Sequence, residues 1–228
     1  MATLFKTFVF LDLEGTGLMD TVPNITELCM VAVHRSALEK PLRDEAGTLL
    51  PPRIMDKLCL CVDPVKSLTS HAAEITGLSN STLQQNEKQA FNACMATIVE
   101  GFLQRQAQPV CLVAHGGDRY DFPLLKAELL HQAQDLPSSV YCLDAWRAVK
   151  GLDIRKRAVP RVIKGYYTLD GIYQRLYRKV PEHSHSAEGD VQTLLMVFLH
   201  EAKDLLTWSR HNSRRFDQIV PLYRNVKG

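Results

Sequence analysis

The chain reads as an α/β protein built on a mixed central β-sheet flanked by α-helices. Two observations give that reading: three strand-like apolar runs open the chain, and helices then alternate with strands. Thr7 to Leu13 is a continuous apolar, β-branched and aromatic-containing run, the pattern of a strand buried on both faces. Ile25 to His34 and Lys57 to Val62 follow as the second and third strands, with turn-forming residues between. Phe91, Met95, Ile98, Val99 and Phe102 recur at helical spacing and predict a helix over 86–103. Val110 to Ala114 returns to strand and ends at His115-Gly116-Gly117. Pro123 suits the first turn of a helix that continues through Leu124, Leu125, Ala127 and Leu129. Val140 to Leu143 is a short strand and Leu169 to Tyr177 a helix. One longer helix is predicted over 187–206, with Val191, Leu194, Leu195, Phe198, Ala202 and Leu205 on one face.

Between these elements, 35–53 and 151–165 read as irregular surface loops. The second gathers Arg155, Lys156, Arg157, Arg161 and Lys164, a concentration of charge suited to phosphate contacts or simply to solvation. No repeat and no dividing linker is visible, so 1–228 is expected to form a single domain. With 46% hydrophobic and 23% charged residues and a net charge of +2, the chain of 228 residues falls outside collagenous, disordered and membrane classes. No signal segment and no membrane-spanning stretch is expected, which places the protein in the nucleus or the cytoplasm or both. The six cysteines are scattered, lie mostly in apolar runs and lack zinc-site spacing, so they are read as buried thiols.

Chemistry enters at Asp12-Leu13-Glu14. Two acids end an otherwise apolar strand, and side chains two apart on a strand share a face. Charge placed beside a core costs free energy that a bound divalent cation offsets; solvated acids at a strand end are the plainer alternative. Asp121, within Tyr120-Asp121-Phe122-Pro123, falls between a strand end and a helix start, where it suits a ligand or a helix cap. Asp190 shares a helix face with Ala187 and Leu194 and should point inward, while His185 belongs to the loop before that helix. Four acids and a histidine suit two-metal phosphodiester hydrolysis, and hard oxygen ligands select Mg²⁺, with Mn²⁺ as substitute. Asp12 is the candidate bridge between two ions, with Glu14, Asp121 and Asp190 completing the shells. A histidine, titrating ordinarily near about 6.5, can accept a proton from an attacking water.

Phe10-Leu11-Asp12-Leu13-Glu14-Gly15-Thr16-Gly17, His115 to Asp121 and His185 to Asp190 resemble the three ordered motifs of the DEDDh 3′→5′ exonucleases. Ala32-Val33-His34-Arg35, Glu74-Ile75-Thr76-Gly77-Leu78 and Tyr120 to Leu125 are similar to the three-prime repair exonuclease (TREX) branch. The resemblance extends over nearly the whole chain. It implies a ribonuclease-H-like fold and a homodimer that degrades single-stranded or frayed DNA 3′ ends to nucleoside monophosphates with two Mg²⁺ ions. It implies catalytic roles for Asp12, Glu14, Asp121, His185 and Asp190, and substrate contacts from Gly15 and Thr16 in the first motif. Leu18, Ile75 and Tyr120 would pack against or separate terminal bases, and Arg119 would contact the nucleic acid. The loop bearing Arg155, Arg157 and Arg161 resembles the family's DNA-binding loop, and Arg53 and Arg105 fall near its dimer boundary.

Two departures from the pattern stand out. Gly116 replaces the usual Asn of the second motif, and Gly15 replaces the usual Ala of the first. The first removes an amide near the catalytic centre, and each extra glycine loosens its loop. The expectation is that the metal ligands survive and that activity falls below that of typical relatives. An exoribonuclease on the same fold, or a weakly active DNA-end-binding protein, are the competing readings.

Overall fold

The computed structural model describes residues 3–156 and 163–223. β1 (Thr7–Gly15), β2 (Ile25–His34), β3 (Asp56–Cys61), β4 (Val110–Ala114), β5 (Val140–Asp144) and the short β6 (Arg214–Arg215) form one sheet in the order β3-β2-β1-β4-β5-β6. β1 pairs antiparallel with β2 and parallel with β4, so the sheet is mixed as predicted. β2 starts and ends where the apolar run does, and β4 likewise.

The pleat divides β1 between two cores. Phe8 and Phe10 face one side, where helix α8 (Ala187–His200) lies across β1 and β2. Val9, Leu11 and Leu13 face the other, under α4 (Ala93–Gln104) and α5 (Asp121–His131). A residue buried on either face leaves no polar alternation, which is why β1 reads as a continuous apolar run. Phe198 of α8 meets Phe8 and Phe10 at ring-centroid distances of 5.4 and 5.3 Å, both within the favourable range for aromatic pairs.

Several boundaries differ from the sequence reading. The helix expected over 86–103 begins at Ala93, because the Asn92 side chain caps it by accepting the Met95 N–H. The preceding stretch carries two short helices that were not predicted, α2 (Ser70–Thr76) and α3 (Asn80–Gln85), capped by Thr69 and Ser79. The expected loop at 35–53 opens with the short helix α1 (Arg35–Glu39). The expected loop at 151–165 is helical up to its fifth residue, since α6 (Ala145–Arg155) buries Ala148, Val149 and Leu152. Gly151 sits against the Trp208 indole where a Cβ would collide, so this glycine is a packing residue inside a helix. Arg157 and Arg161 lie outside the described residues. α7 (Leu169–Tyr177) matches its predicted span. The long helix expected over 187–206 is two, α8 and α9 (Ala202–Asn212), separated at Glu201, whose φ of −105° and ψ of 21° leave the helical region. α8 packs on the sheet while α9 packs on α6, and the apolar periodicity runs on through the change of direction.

The cysteines are not uniformly buried: Cys29, Cys111 and Cys142 are, whereas Cys59 and Cys94 are exposed and Cys61 is intermediate. No helix among the described residues is long and apolar enough to cross a membrane.

Because Phe198 joins α8 to β1 from within the core, Phe198→Ala is expected to destabilise the fold by about 3–5 kcal/mol. Urea unfolding followed by circular dichroism measures this; a loss under about 1 kcal/mol would mean that α8 is not packed on the sheet as described.

Candidate active site

The site forms where β1 outruns one of its neighbours. Pairing with β4 reaches only Phe10, whereas pairing with β2 continues to the end of the strand. Past Phe10, therefore, β1 is open on its β4 side, and Asp12 and Glu14 project from this stretch onto the α8 face. The Leu13 N–H, without a β4 partner, donates to the Asp121 carboxylate at 3.2 Å. Asp121 occupies the first turn of α5 and is 4% exposed, so the fourth predicted acid is tied directly to β1.

Asp12, Glu14 and Asp190 each offer a carboxylate oxygen within 4.8 Å of the other two. Asp121 is not one of this mutually close trio, although its charge acts on both Asp12 and Glu14. Burial, then the neighbouring carboxylates, hold the Asp12 carboxyl well above the usual range. The same two causes raise Glu14 to about 8. Burial lifts Asp121 to about 7 against hydrogen bonds that lower it. Burial also lifts Asp190 to about 6, opposed by the His185 backbone N–H and ring. A divalent, oxygen-seeking cation would relieve this repulsion, and an all-carboxylate donor set fits Mg²⁺ or Mn²⁺.

Asp190 is placed by the start of α8. The Ser186 hydroxyl caps that helix by accepting the Gly189 N–H at 3.2 Å, and itself donates to the His183 carbonyl at 2.9 Å. The His185 N–H donates to Asp190 at 3.1 Å. His185 is exposed and takes a left-handed backbone, φ 68°, uncommon for a residue with a Cβ. His185 thus stands exposed on the loop before α8, next to Asp190.

Two supporting acids escaped the sequence reading. Glu27 lies directly opposite Glu14 on β2 and accepts the Ala187 N–H at 3.0 Å, mooring the first residue of α8 to the sheet. An acid inside the apolar run of β2 was the available signal. Asp144, 6% exposed at the end of β5, accepts the Gly116 N–H at 3.1 Å and the Asp118 N–H at 3.3 Å. It also caps α6 through the Arg147 N–H at 3.2 Å. Asp144 therefore shapes the loop that delivers Asp121, a contact that sequence spacing does not show.

A cavity of about 180 Å³ adjoins the acids, lined by Glu14, Gly15, Leu18, Ile75 and Tyr120 among others. Leu18 and Ile75 are exposed apolar residues on its wall. Tyr120 donates its hydroxyl proton to the Gly17 carbonyl at 2.8 Å, directly over Gly15, where a Cβ would collide with that hydroxyl. Thr16 is fully buried and its hydroxyl accepts the Asn24 N–H, so its side chain braces the turn and does not face the cavity. Arg119 is exposed and lies 5.8 Å from the Trp146 ring centroid, with Lys150 on the same ring at 4.7 Å. Arg155 rests over Trp208 at 4.5 Å. Arg105 ion-pairs with Asp56 of β3 at 3.1 Å, on the edge strand of the sheet, and Arg53 is exposed just before that strand.

Residues 9–198 match the family model described as Exonuclease, and a carboxylate cluster at the open end of a central strand in a mixed α/β sheet fits that class of hydrolase. The chain belongs to the three prime repair exonuclease family. It is 46% identical to three prime repair exonuclease 2 of Mus musculus, with 96% of this chain and 93% of the relative covered. To three-prime repair exonuclease 1 of Bos taurus it is 45% identical, covering 96% and 70%. The ribonuclease-H-like exonuclease fold is shared with solved structures of low sequence identity. A full-length 3′-exonuclease superposes with a TM-score of 0.65 at 13% identity, covering 90% of this chain and 84% of that one. Exonuclease I also gives 0.65, at 14% identity, covering 93% of this chain and 42% of that chain.

The raised carboxyls make metal-free stability pH-dependent. Each protonates more readily folded than unfolded, so stability present below the ordinary values of 3.8 and 4.5 declines as pH rises through about 6, 7 and 8 for Asp190, Asp121 and Glu14. Thermal unfolding in EDTA is expected to show Tm falling across that window. Mg²⁺ should raise Tm more near pH 8 than near about pH 5, because binding needs the ionised acids. Equal increments at the two pH values would show that these carboxyls do not bind the cation.

Proposed function

We propose that this chain is a metal-dependent 3′→5′ DNA exonuclease, removing nucleoside monophosphates from single-stranded or frayed 3′ ends. The observation that carries the reading is the convergence of Asp12, Glu14 and Asp190 within 4.8 Å, with Asp121 beside them. Names of the relatives, all three-prime repair exonucleases, support the direction of attack and the DNA substrate. Two Mg²⁺ ions are expected, held by Asp12, Glu14, Asp121 and Asp190; bound there, such ions polarise the phosphoryl oxygens and stabilise the attacking and leaving oxygens.

The chain's own groups supply the remainder. The exposed imidazole of His185 accepts the proton of the attacking water, and the Asp190 carboxylate holds the loop bearing it through the His185 N–H. Leu18, Ile75 and Tyr120 form an apolar wall on which a terminal base can pack without regard to its identity. Gly15 keeps this wall close to the acids, because the Tyr120 hydroxyl occupies the space of its missing Cβ. Arg119, Lys150 and Trp146 extend a cationic and aromatic surface from the motif carrying Asp121, suited to the phosphates and bases behind the 3′ end. Arg155, with Arg157 and Arg161 beyond the described residues, belongs to the same proposal.

A homodimer through β3 is part of this reading. Among the described residues β3 is the sheet edge with no strand paired on its outer side, and Leu58 and Leu60 are only partly buried. Arg105, through Asp56, and Arg53 lie beside that edge. Sedimentation is expected to give a dimer at micromolar concentration, and a monomer would remove it.

A time course on a 5′-labelled single-stranded DNA oligonucleotide tests the activity. A ladder shortening from the 3′ end is expected with Mg²⁺, none in EDTA, and about 10²–10⁴-fold slower cleavage for His185→Ala. Asp121→Ala should abolish cleavage while DNA binding persists; normal degradation by that variant would overturn the site assignment. A matched RNA oligonucleotide, degraded as fast as the DNA, would replace the substrate proposed here.

A further inference from the structure

We propose that Cys29 and Cys59 are an oxidation site that closes to a cross-strand disulfide between β2 and β3. The two residues are direct partners in the antiparallel ladder, and their sulfurs lie 2.9 Å apart. The ladder places them in the right kind of pair. The Val62 N–H donates to the Thr26 carbonyl at 2.9 Å, so Thr26 and Val62 form a hydrogen-bonded pair. Hydrogen-bonded and non-bonded pairs alternate, so Leu28 with Leu60 is bonded and Cys29 with Cys59 is not. Non-bonded pairs bring Cα atoms to about 4.5 Å, inside the range a disulfide spans.

Exposure assigns the two roles. In the single chain Cys59 is exposed on the α8 face of β3, a side-chain face distinct from the backbone edge through which two chains would pair, whereas Cys29 is 1% exposed beneath it. That difference in access leaves Cys59 as the sulfur that meets an oxidant. With hydrogen peroxide, the Cys59 thiolate attacks one peroxide oxygen. The O–O bond breaks, hydroxide leaves to become water, and Cys59 becomes a sulfenic acid. The Cys29 sulfur then attacks the Cys59 sulfur; the S–O bond breaks, the S–S bond forms, and a second water departs with the Cys29 proton. Two thiols are oxidised and one peroxide is reduced to two waters.

The position gives the bond a target. Lys57, on the same face of β3 as Cys59, pairs with Glu188 of α8 at 2.6 Å. Glu27, on the same face of β2 as Cys29, accepts the Ala187 N–H. The dithiol therefore lies between the two contacts that moor the start of α8, the segment presenting Asp190. This inference rests on the strand register and does not depend on the substrate proposed above.

The test treats the full chain with a small excess of hydrogen peroxide, alkylates remaining thiols under denaturing, non-reducing conditions, and reads the peptides by tandem mass spectrometry. The expected result is a Cys29–Cys59 linked peptide with loss of two alkylatable thiols, reversed by dithiothreitol, retained in Cys61→Ser and lost in Cys59→Ser. Substitution at the exposed Cys59 leaves the core untouched, so misfolding does not mimic that loss. The proposal is overturned if Cys59 proceeds to sulfinic acid while Cys29 stays alkylatable. A linkage to Cys61 instead, or a non-reducing gel showing a bond between two chains, would overturn it equally.

Discussion

Mutual repulsion among carboxylates at the end of β1 is the constraint around which the rest of the molecule is arranged. Asp12, Glu14 and Asp190 are close enough to share a ligand, and Glu27 and Asp121 add their fields. Gathering such groups in partly buried positions opposes folding unless each is held by contacts the fold makes for other reasons. The contacts are visible. Asp121 takes the Leu13 N–H that β4 leaves unpaired, Glu27 takes the first N–H of α8, and Asp190 takes the N–H of His185. The first two are backbone donors left over at a strand end and at a helix start, and the third lies in the loop just before the cap of α8.

The topology follows from the same place. A ligand crevice in an α/β sheet opens where neighbouring strands part, and here β4 turns away after Ala114 while β1 runs on to Gly15. The loop that leaves β4 must return to deliver Asp121. Asp144 makes that return possible from the next strand by binding two of its backbone N–H groups. The aromatic pairing of Phe198 with Phe8 and Phe10 fixes α8 over the preceding stretch of β1, on the face from which Asp12 and Glu14 project. Strand order, loop and helix thus converge on one end of one strand.

How much of this was legible in the sequence divides along a physical line. The buried strands and the four acids were, because apolar runs and strand alternation are local properties of the chain. The break between α8 and α9 at Glu201 was not, since apolar residues recur at helical spacing on both sides of it. The helical stretch to Arg155 was missed because a glycine and a basic run outweighed three buried apolar residues; Gly151 is tolerated there because Trp208 needs the space. Glu27 and Asp144 were invisible as supports for a different reason. Their importance lies in hydrogen bonds to Ala187, Gly116 and Asp118, contacts between residues far apart in the chain.

The two departures from the family pattern have different structural meanings. Gly116 sits at φ 73° with open space where a side chain would project, and its N–H is held by Asp144. Glycine and asparagine both adopt this left-handed conformation readily, so the exchange keeps the backbone geometry and removes only an amide from the surface of the loop. At Gly15 the substitution acts on a neighbour. Without a Cβ, the Tyr120 hydroxyl settles over the first motif and donates to the Gly17 carbonyl, binding the loop of Asp121 to the strand of Asp12 and Glu14. An alanine there would require the Tyr120 hydroxyl to shift. The glycine expected to loosen the first motif thus leaves room for a side chain of the second motif to bond across it.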